Sequence, residues 1–149
     1  MLLTWQVFTW NDLTLEVLYK ILALRADVFV VEQHCPYLDP DNKDQKALHL
    51  CAFSNDKLIG YSRIFLGENP CVIGRVVVDQ KQRGKQVGRK LMKKSIAQVP
   101  LEKEIFISAQ EHLKKFYESL GFIQSATGYL EDGIPHIPMV LPQRNANLK

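Results

Sequence analysis

A mixed α/β fold, with a mostly antiparallel central sheet flanked by helices, is what the sequence predicts. Two observations carry it. Short runs rich in β-branched and aromatic residues recur between turn signals, which marks strands. A helical pattern also separates the runs CVIGRVVV and EIFISA, so these two strands must be joined by a crossover rather than a hairpin. Helices interleaved with strands in this way cover the faces of a sheet.

The elements follow in order. Residues 3–9 alternate loosely and predict a first strand. From Thr14, a plausible N-cap, Leu15, Leu18, Tyr19 and Leu22 follow helical spacing, and the helix runs on towards Val31. Pro36, Pro40 and the Asp/Asn cluster mark a long loop over 34–46, a length that is more often functional than idle. ALHLCAF and LIGYSRIFL flank Ser54-Asn55-Asp56-Lys57 as a hairpin, and CVIGRVVV is the next strand, with its last residues apolar on both faces. A helix is expected from Gly84 to about Gln98, with Val87, Leu91, Met92 and Ile96 inward. EIFISA then reads as a strand. EHLKKFYESLGF reads as an amphipathic helix, with Leu113, Phe116, Tyr117 and Leu120 on one stripe and Gly121 just past its end. FIQSATGYL and HIPMVL complete the sheet, and residues 142–149 form a polar tail expected to fray.

At 149 residues the chain suits one compact domain over 1–149, and 46% apolar with 23% charged content is ordinary for a soluble protein. No apolar run is long enough for a bilayer, and MLLTWQVFTW lacks the basic start and cleavage site of a secretory signal. A cytoplasmic protein with no membrane partner is the expectation. Cys35, Cys51 and Cys71 form no CxxC pair, which argues against a disulfide framework or a zinc ribbon, and no metal site is expected. Net charge is +3, too small by itself to imply nucleic-acid binding. Its distribution is uneven. Residues 81–94 carry seven basic side chains and no acid, whereas 39–44 carry Asp39, Asp41 and Asp44 against Lys43. Two ligands of opposite charge would suit such a surface.

The basic run contains Arg83-Gly84-Lys85-Gln86-Val87-Gly88 at a helix start. Glycines cost a helix up to about 1 kcal/mol each relative to alanine, so two of them call for a reason. A helix N-terminus offers unpaired N–H groups and partial positive charge, a natural seat for phosphate. The other reading is a solvated basic face, with the glycines serving helix–strand packing. On the residues alone both stand. GxxxxGK[ST] is absent, as is GxGxxG after a first strand, which excludes a nucleoside-triphosphate loop and disfavours a dinucleotide fold.

The ordered set GRVVVDQKQRGKQVGRKLM, a further strand, and FYESLGF resembles the Gcn5-related N-acetyltransferase (GNAT) superfamily over about residues 47–130. With LRADVFVVEQHCPYLDPDNKDQKALHL, SAQEHLKKFYESLGF and EDGIPHIPM included, the chain is similar to the ElaA-like branch over nearly its whole length. The resemblance implies the acyl-CoA N-acyltransferase fold and acetyl transfer from acetyl-CoA to the primary amine of a small molecule or peptide. It implies that Arg83, Gly84, Lys85, Gln86, Val87 and Gly88 cradle the diphosphate, and that Val76, Val77 and Val78 run along the pantetheine arm. Gln86 stands where the family usually has a glycine. A negative φ at Gln86, with its side chain turned away from the phosphates, would make that substitution tolerable.

Such a transfer needs a base, oxyanion donors and an acid for the leaving thiolate. Tyr117 matches the family's tyrosine and is the acid candidate; on residues alone it is also a core tyrosine. The N–H of Val77 or Val78 is the donor candidate. Residues 72–76 carry no carboxylate where many relatives have a glutamate, so Glu32, His49, Asp44 and His136 are the base candidates. Glu32, Gln33, Tyr37, Asp39, Asp41 and Asp44 are expected around the acceptor, with acids to attract a cationic amine; a solvated turn is the alternative. Two rival functions stand beside acetyl transfer: an inactive CoA-binding sensor and a basic nucleic-acid-binding module. A homodimer is left open.

Overall fold

The structure, a computed structural model, describes residues 2–145. Eight strands among them are β1 Leu3–Phe8, β2 Leu48–Ser54, β3 Lys57–Phe65, β4 Cys71–Val78, β5 Ile105–Gln110, β6 Ile123–Gln124, β7 Tyr129–Glu131 and β8 Ile134–Leu141. They form one sheet in the order β1-β2-β3-β4-β5-β8-β6, with β7 also on β8. The segment expected as one strand after Gly121 is two short ones, β6 and β7.

All pairings are antiparallel except β4 with β5. These two pair only at Cys71↔Ile105 and Val72↔Phe106, and then separate. Beyond Val72, the edge of β4 that faces β5 has no ladder partner among the described residues. The opposite edge of β4 is irregular as well. Tyr61 pairs with Val77 and Arg63 with Gly74, so Arg75 and Val76 together oppose Ser62. This is a β-bulge, and Arg75 within it has φ 48°.

Helix α1 (Leu15–Arg25) starts at Thr14, whose hydroxyl accepts the Val17 N–H at 3.1 Å, as expected. Its inward face is not the expected one. Leu15 and Tyr19 are 87% and 77% exposed, while Ile21, Leu24, Arg25 and Val28 are buried. That second stripe has the same helical spacing, but a pattern that scores arginine as polar passes over it. The helix then widens into a π-helical segment, Ala26–Glu32, a form often found at functional sites. On this face of the sheet, Ile21, Leu24 and Val28 pack with Cys51, Phe53, Leu58, Tyr61 and Val77.

The other face carries α2 (Val87–Ala97) and α3 (Lys114–Glu118). Leu91, Met92, Ile105, Ile107, Tyr117 and Phe122 are among its buried core. Helix α2 starts at Val87 rather than Gly84, because Gly84 and Gln86 both have positive φ. Helix α3 is short and follows a 3-10 turn, Glu111–Leu113, which leaves Leu113 at the surface. The tail is anchored as far as Arg144, whose guanidinium donates to the carbonyls of Val99, Pro100 and Lys103 at 3.0, 3.0 and 3.1 Å. The remainder of the expected frayed tail, 146–149, lies outside the described residues. Among the described residues, no helix is long and apolar enough to cross a membrane.

Candidate functional site

The gap between β4 and β5 opens beside the start of α2. There the chain leaves β4, makes a 3-10 turn at Gln80–Gln82, and reaches the helix through Arg83–Gln86. The N–H groups of residues 84–89 donate to no backbone carbonyl or side chain among the described residues, and the first bond back from the helix is Lys90 N–H to Gln86 O at 3.1 Å. No side chain caps the helix. Six successive free donors at the positive end of a helix make an anion seat.

Gln86 departs from the expectation. Its φ of 65° and ψ of 12° are left-handed, not helical. With Gly84 at φ 79°, two reversed residues at alternate positions curl the chain so that its amides converge, the geometry of an anion-binding nest. A left-handed conformation explains a glycine at this position, and a non-glycine residue there costs roughly 1–2 kcal/mol.

The space around the glycines bears on whether packing requires them. A Cβ at Gly84 would meet nothing within 4 Å, so packing does not demand glycine there; the positive φ does. At Gly88, a Cβ would make ordinary contacts of 3.8 Å to Val78 and 4.0 Å to Phe116. Neither φ nor crowding explains Gly88.

Tyr117 lies behind this loop. Phe116 and Phe122 pack edge-on against its ring at centroid distances of 5.1 and 5.9 Å, and Val76 and Val78 pack against the same core cluster. Its hydroxyl has no hydrogen-bond partner among the described residues, yet it is not among the fully enclosed unpartnered atoms, so it keeps an opening. Burial pushes its pKa up to about 12. It is a phenol held protonated.

The acids expected around an acceptor are engaged elsewhere. Asp39 accepts from Arg25 Nε at 2.7 Å, Arg75 Nε at 2.9 Å and the Tyr37 hydroxyl at 2.6 Å. Asp41 takes both Nη groups of Arg63 at 2.8 Å. Asp44 lies between Arg25 and Arg63, 2.9 Å from each. Three aspartates thus meet three arginines, and the loop is stapled to the sheet with no net charge left to attract a cation. Burial raises the Asp41 pKa, but hydrogen bonds and charge from Arg63 more than reverse this, holding it at about 2. Burial likewise opposes the Asp44 carboxylate, and Arg25 and then Arg63 outweigh it. Neither acid is suited to take a proton at neutral pH.

His49 is a second correction. It is 0% exposed, with Nδ1 at 2.6 Å from the Tyr61 hydroxyl and Nε2 at 2.8 Å from the Asp44 carbonyl. Burial lowers its pKa, and both nitrogens are occupied, so it cannot reach a substrate. Glu32 is held by Arg83 through two bonds of 2.6 and 2.9 Å, while Arg83 Nε also donates to the Val78 carbonyl at 3.2 Å. Arg83 therefore ties the end of the π-helical segment to the anion loop.

What remains open on the α1 side is mostly uncharged. Ile107 and Ala109 belong to the α2–α3 core, so Ser108 and Gln110 face the other way. His136, paired with both Gln110 and Tyr129, shares their face. Gln110 hydrogen-bonds Gln33 at 3.3 Å, Ser108 bonds Tyr129, and the Cys35 thiol reaches the Asp132 carbonyl at 3.3 Å. His136 donates from Nδ1 to the Ile134 carbonyl at 2.7 Å, leaving Nε2 3.4 Å from Glu131. Through the Cys35 thiol contact the turn at 131–136 meets the 33–37 segment.

Sequence reasoning missed the arginines. Arg25 occupies a core position of a helical stripe, and Arg63 lies in an apolar strand run. Charges in such patterns demand counter-ions, and three unexplained aspartates stood nearby in the loop.

A family model described as an acetyltransferase (GNAT) domain matches residues 25–142. The chain is 42% identical to protein ElaA of Escherichia coli over 146 residues, covering 93% of this chain and 95% of that protein. The crystal structure of E. coli ElaA superposes with a TM-score of 0.89 at 40% identity, over 97% of this chain and 100% of that one. An acyl-CoA N-acyltransferase from Pseudomonas aeruginosa gives 0.86 at 39% identity, over 93% and 98%. The PaiA N-acetyltransferase from Thermoplasma acidophilum, in complex with coenzyme A, shares the fold at 14% identity and a TM-score of 0.65, over 93% and 99%. With the free amides, the parted strands and these matches in view, the chain belongs to the GNAT acetyltransferase family.

Proposed function

We propose that this protein transfers an acetyl group from acetyl-CoA to the primary amine of a small molecule or peptide, by direct attack. The observation that carries this reading is the run of free amides at 84–89, set beside the unpaired edge of β4. Those amides would hold the diphosphate, and Val76, Val77 and Val78 would line the pantetheine arm. Acetyl-CoA supplies an activated thioester carbonyl and a thiolate leaving group. The N–H of Val77 or Val78 would donate to the carbonyl oxygen. Val78 N–H is the one that faces away from β3, because Asp79 N–H turns back to the Ile59 carbonyl at 2.8 Å. Tyr117, protonated throughout the neutral range, would donate to the departing sulfur.

Of the four base candidates, His49 and Asp44 are sealed in the network and Glu32 is paired with Arg83. His136 is the one that combines the acceptor face with an accepting nitrogen. Its Nδ1 proton is committed to Ile134, which leaves Nε2, 3.4 Å from Glu131, as the nitrogen that would accept the amine's proton.

Thiol release from acetyl-CoA across a panel of amines tests the reading. Tyr117→Phe is expected to lower kcat about 100-fold or more while leaving acetyl-CoA affinity unchanged. Unchanged turnover would remove Tyr117 from the mechanism. If acetyl-CoA raises the Tm but no amine promotes thiol release, the protein is a CoA-binding sensor.

A further inference from the structure

We infer that Arg75 is a positioning residue: its clamp on Asp39 holds the strained bulge of β4 that opens the strand edge at Val76–Val78. The inference rests on the reading of that edge as the acetyl-CoA arm site. Arg75 has φ 48°, a conformation that L side chains avoid and that persists only where the surroundings impose it. The surroundings here are explicit. Arg75 Nε donates to Asp39 Oδ1 at 2.9 Å, and Nη2 donates to the Asp39 carbonyl at 2.9 Å and to Asp41 at 3.4 Å. Its guanidinium also lies 5.7 Å from the centre of the Tyr37 ring. Asp39 is fixed in turn by the fully buried Arg25.

The bulge lies between the last regular β3–β4 pair, Arg63↔Gly74, and the pair Tyr61↔Val77. It comes just after β4 parts from β5. One residue with reversed φ shifts the register of everything after it, so that Asp79 N–H turns back to the Ile59 carbonyl at 2.8 Å and Val78 N–H faces the open edge. The 34–46 loop, expected to attract an amine by its charge, acts instead on the other substrate's side through Arg75.

Comparison of Arg75→Ala with Arg75→Gly isolates this effect. Both remove the guanidinium, but only glycine adopts the positive φ without strain. The full-length chain is titrated with acetyl-CoA by calorimetry, and amide exchange over 74–78 is followed without ligand. Arg75→Ala is expected to bind on the order of tenfold more weakly, with faster exchange at 76–78. Arg75→Gly is expected to stay within about threefold of the parent. Equal weakening in both variants, or no change in Arg75→Ala, overturns the inference. So does unfolding of both, because glycine already meets the conformational demand; unfolding of Arg75→Ala alone supports it. If the parent chain itself does not bind acetyl-CoA, the functional reading fails, while the exchange comparison still decides the role of Arg75.

Discussion

The loop at 83–89 and the cluster around Asp39 are both polar, and they solve opposite problems. In the loop, the backbone donors of 84–89 are left without partners among the described residues. In the cluster, carboxylates are matched to guanidinia, and among the described residues only Arg63 Nε is enclosed without a partner. A binding site must be short of partners; a staple must not be. The side-chain charges that suggested two ligands therefore divide between a loop of unpartnered donors and one internal strut.

The contrast can be broken most severely at the strut. Asp44→Ala leaves Arg25 and Arg63 buried without a shared counter-ion, and should cost about 3–5 kcal/mol. Chemical denaturation reads this as a lowered midpoint. A loss below about 1 kcal/mol would show that the cluster is solvated like a surface turn.

Acid should reach the strut before the loop. The folded pKa of His49 is depressed, so its contribution is complete above about pH 6.5 and is lost as pH falls towards the folded value, at up to about 1.4 kcal/mol per pH unit. Asp41 follows lower down, its contribution fading between the ordinary 3.8 and about 2. His49→Gln should therefore be less stable at pH 7 but flatter between pH 6.5 and 5, as read from Tm against pH. An identical slope would mean that His49 is protonated in the fold.

The loop answers in affinity rather than stability. Gly88→Ala should raise stability by about 0.5–1 kcal/mol, as alanine does in a helix, yet weaken acetyl-CoA binding about tenfold. Raised stability with unchanged affinity would return Gly88 to ordinary helix packing. The smallest effect is at Gln86. Gln86→Gly relieves a left-handed residue, should stabilise by a few tenths to about 1 kcal/mol, and should leave binding equal or tighter. Destabilisation would show that the glutamine side chain supports the loop.

Much of this was legible in the chain. The hairpin at 54–57, the Thr14 cap and the crossover into β5 follow from local chemistry. The stretch 83–88 stood out because glycines and bases gather at a helix start, although the residues alone left a phosphate seat and a solvated basic face both open. The errors share a cause. His49, Asp39, Asp41 and Asp44 looked available because a sequence does not show which charges meet. The α1 face was misread because Arg25 counts as polar until its partners are known.

The sequence by itself therefore determined most of the element order and the helix start that follows the basic loop, since these rest on short-range periodicity and turn residues, while the family was legible in the ordered set of motifs. Only the tertiary structure decided the left-handed turn at Gln86, the bulge at Arg75 and the withdrawal of three aspartates and a histidine from the acceptor side. Those depend on contacts between residues as far apart as Asp39 and Arg75, which local propensity does not encode.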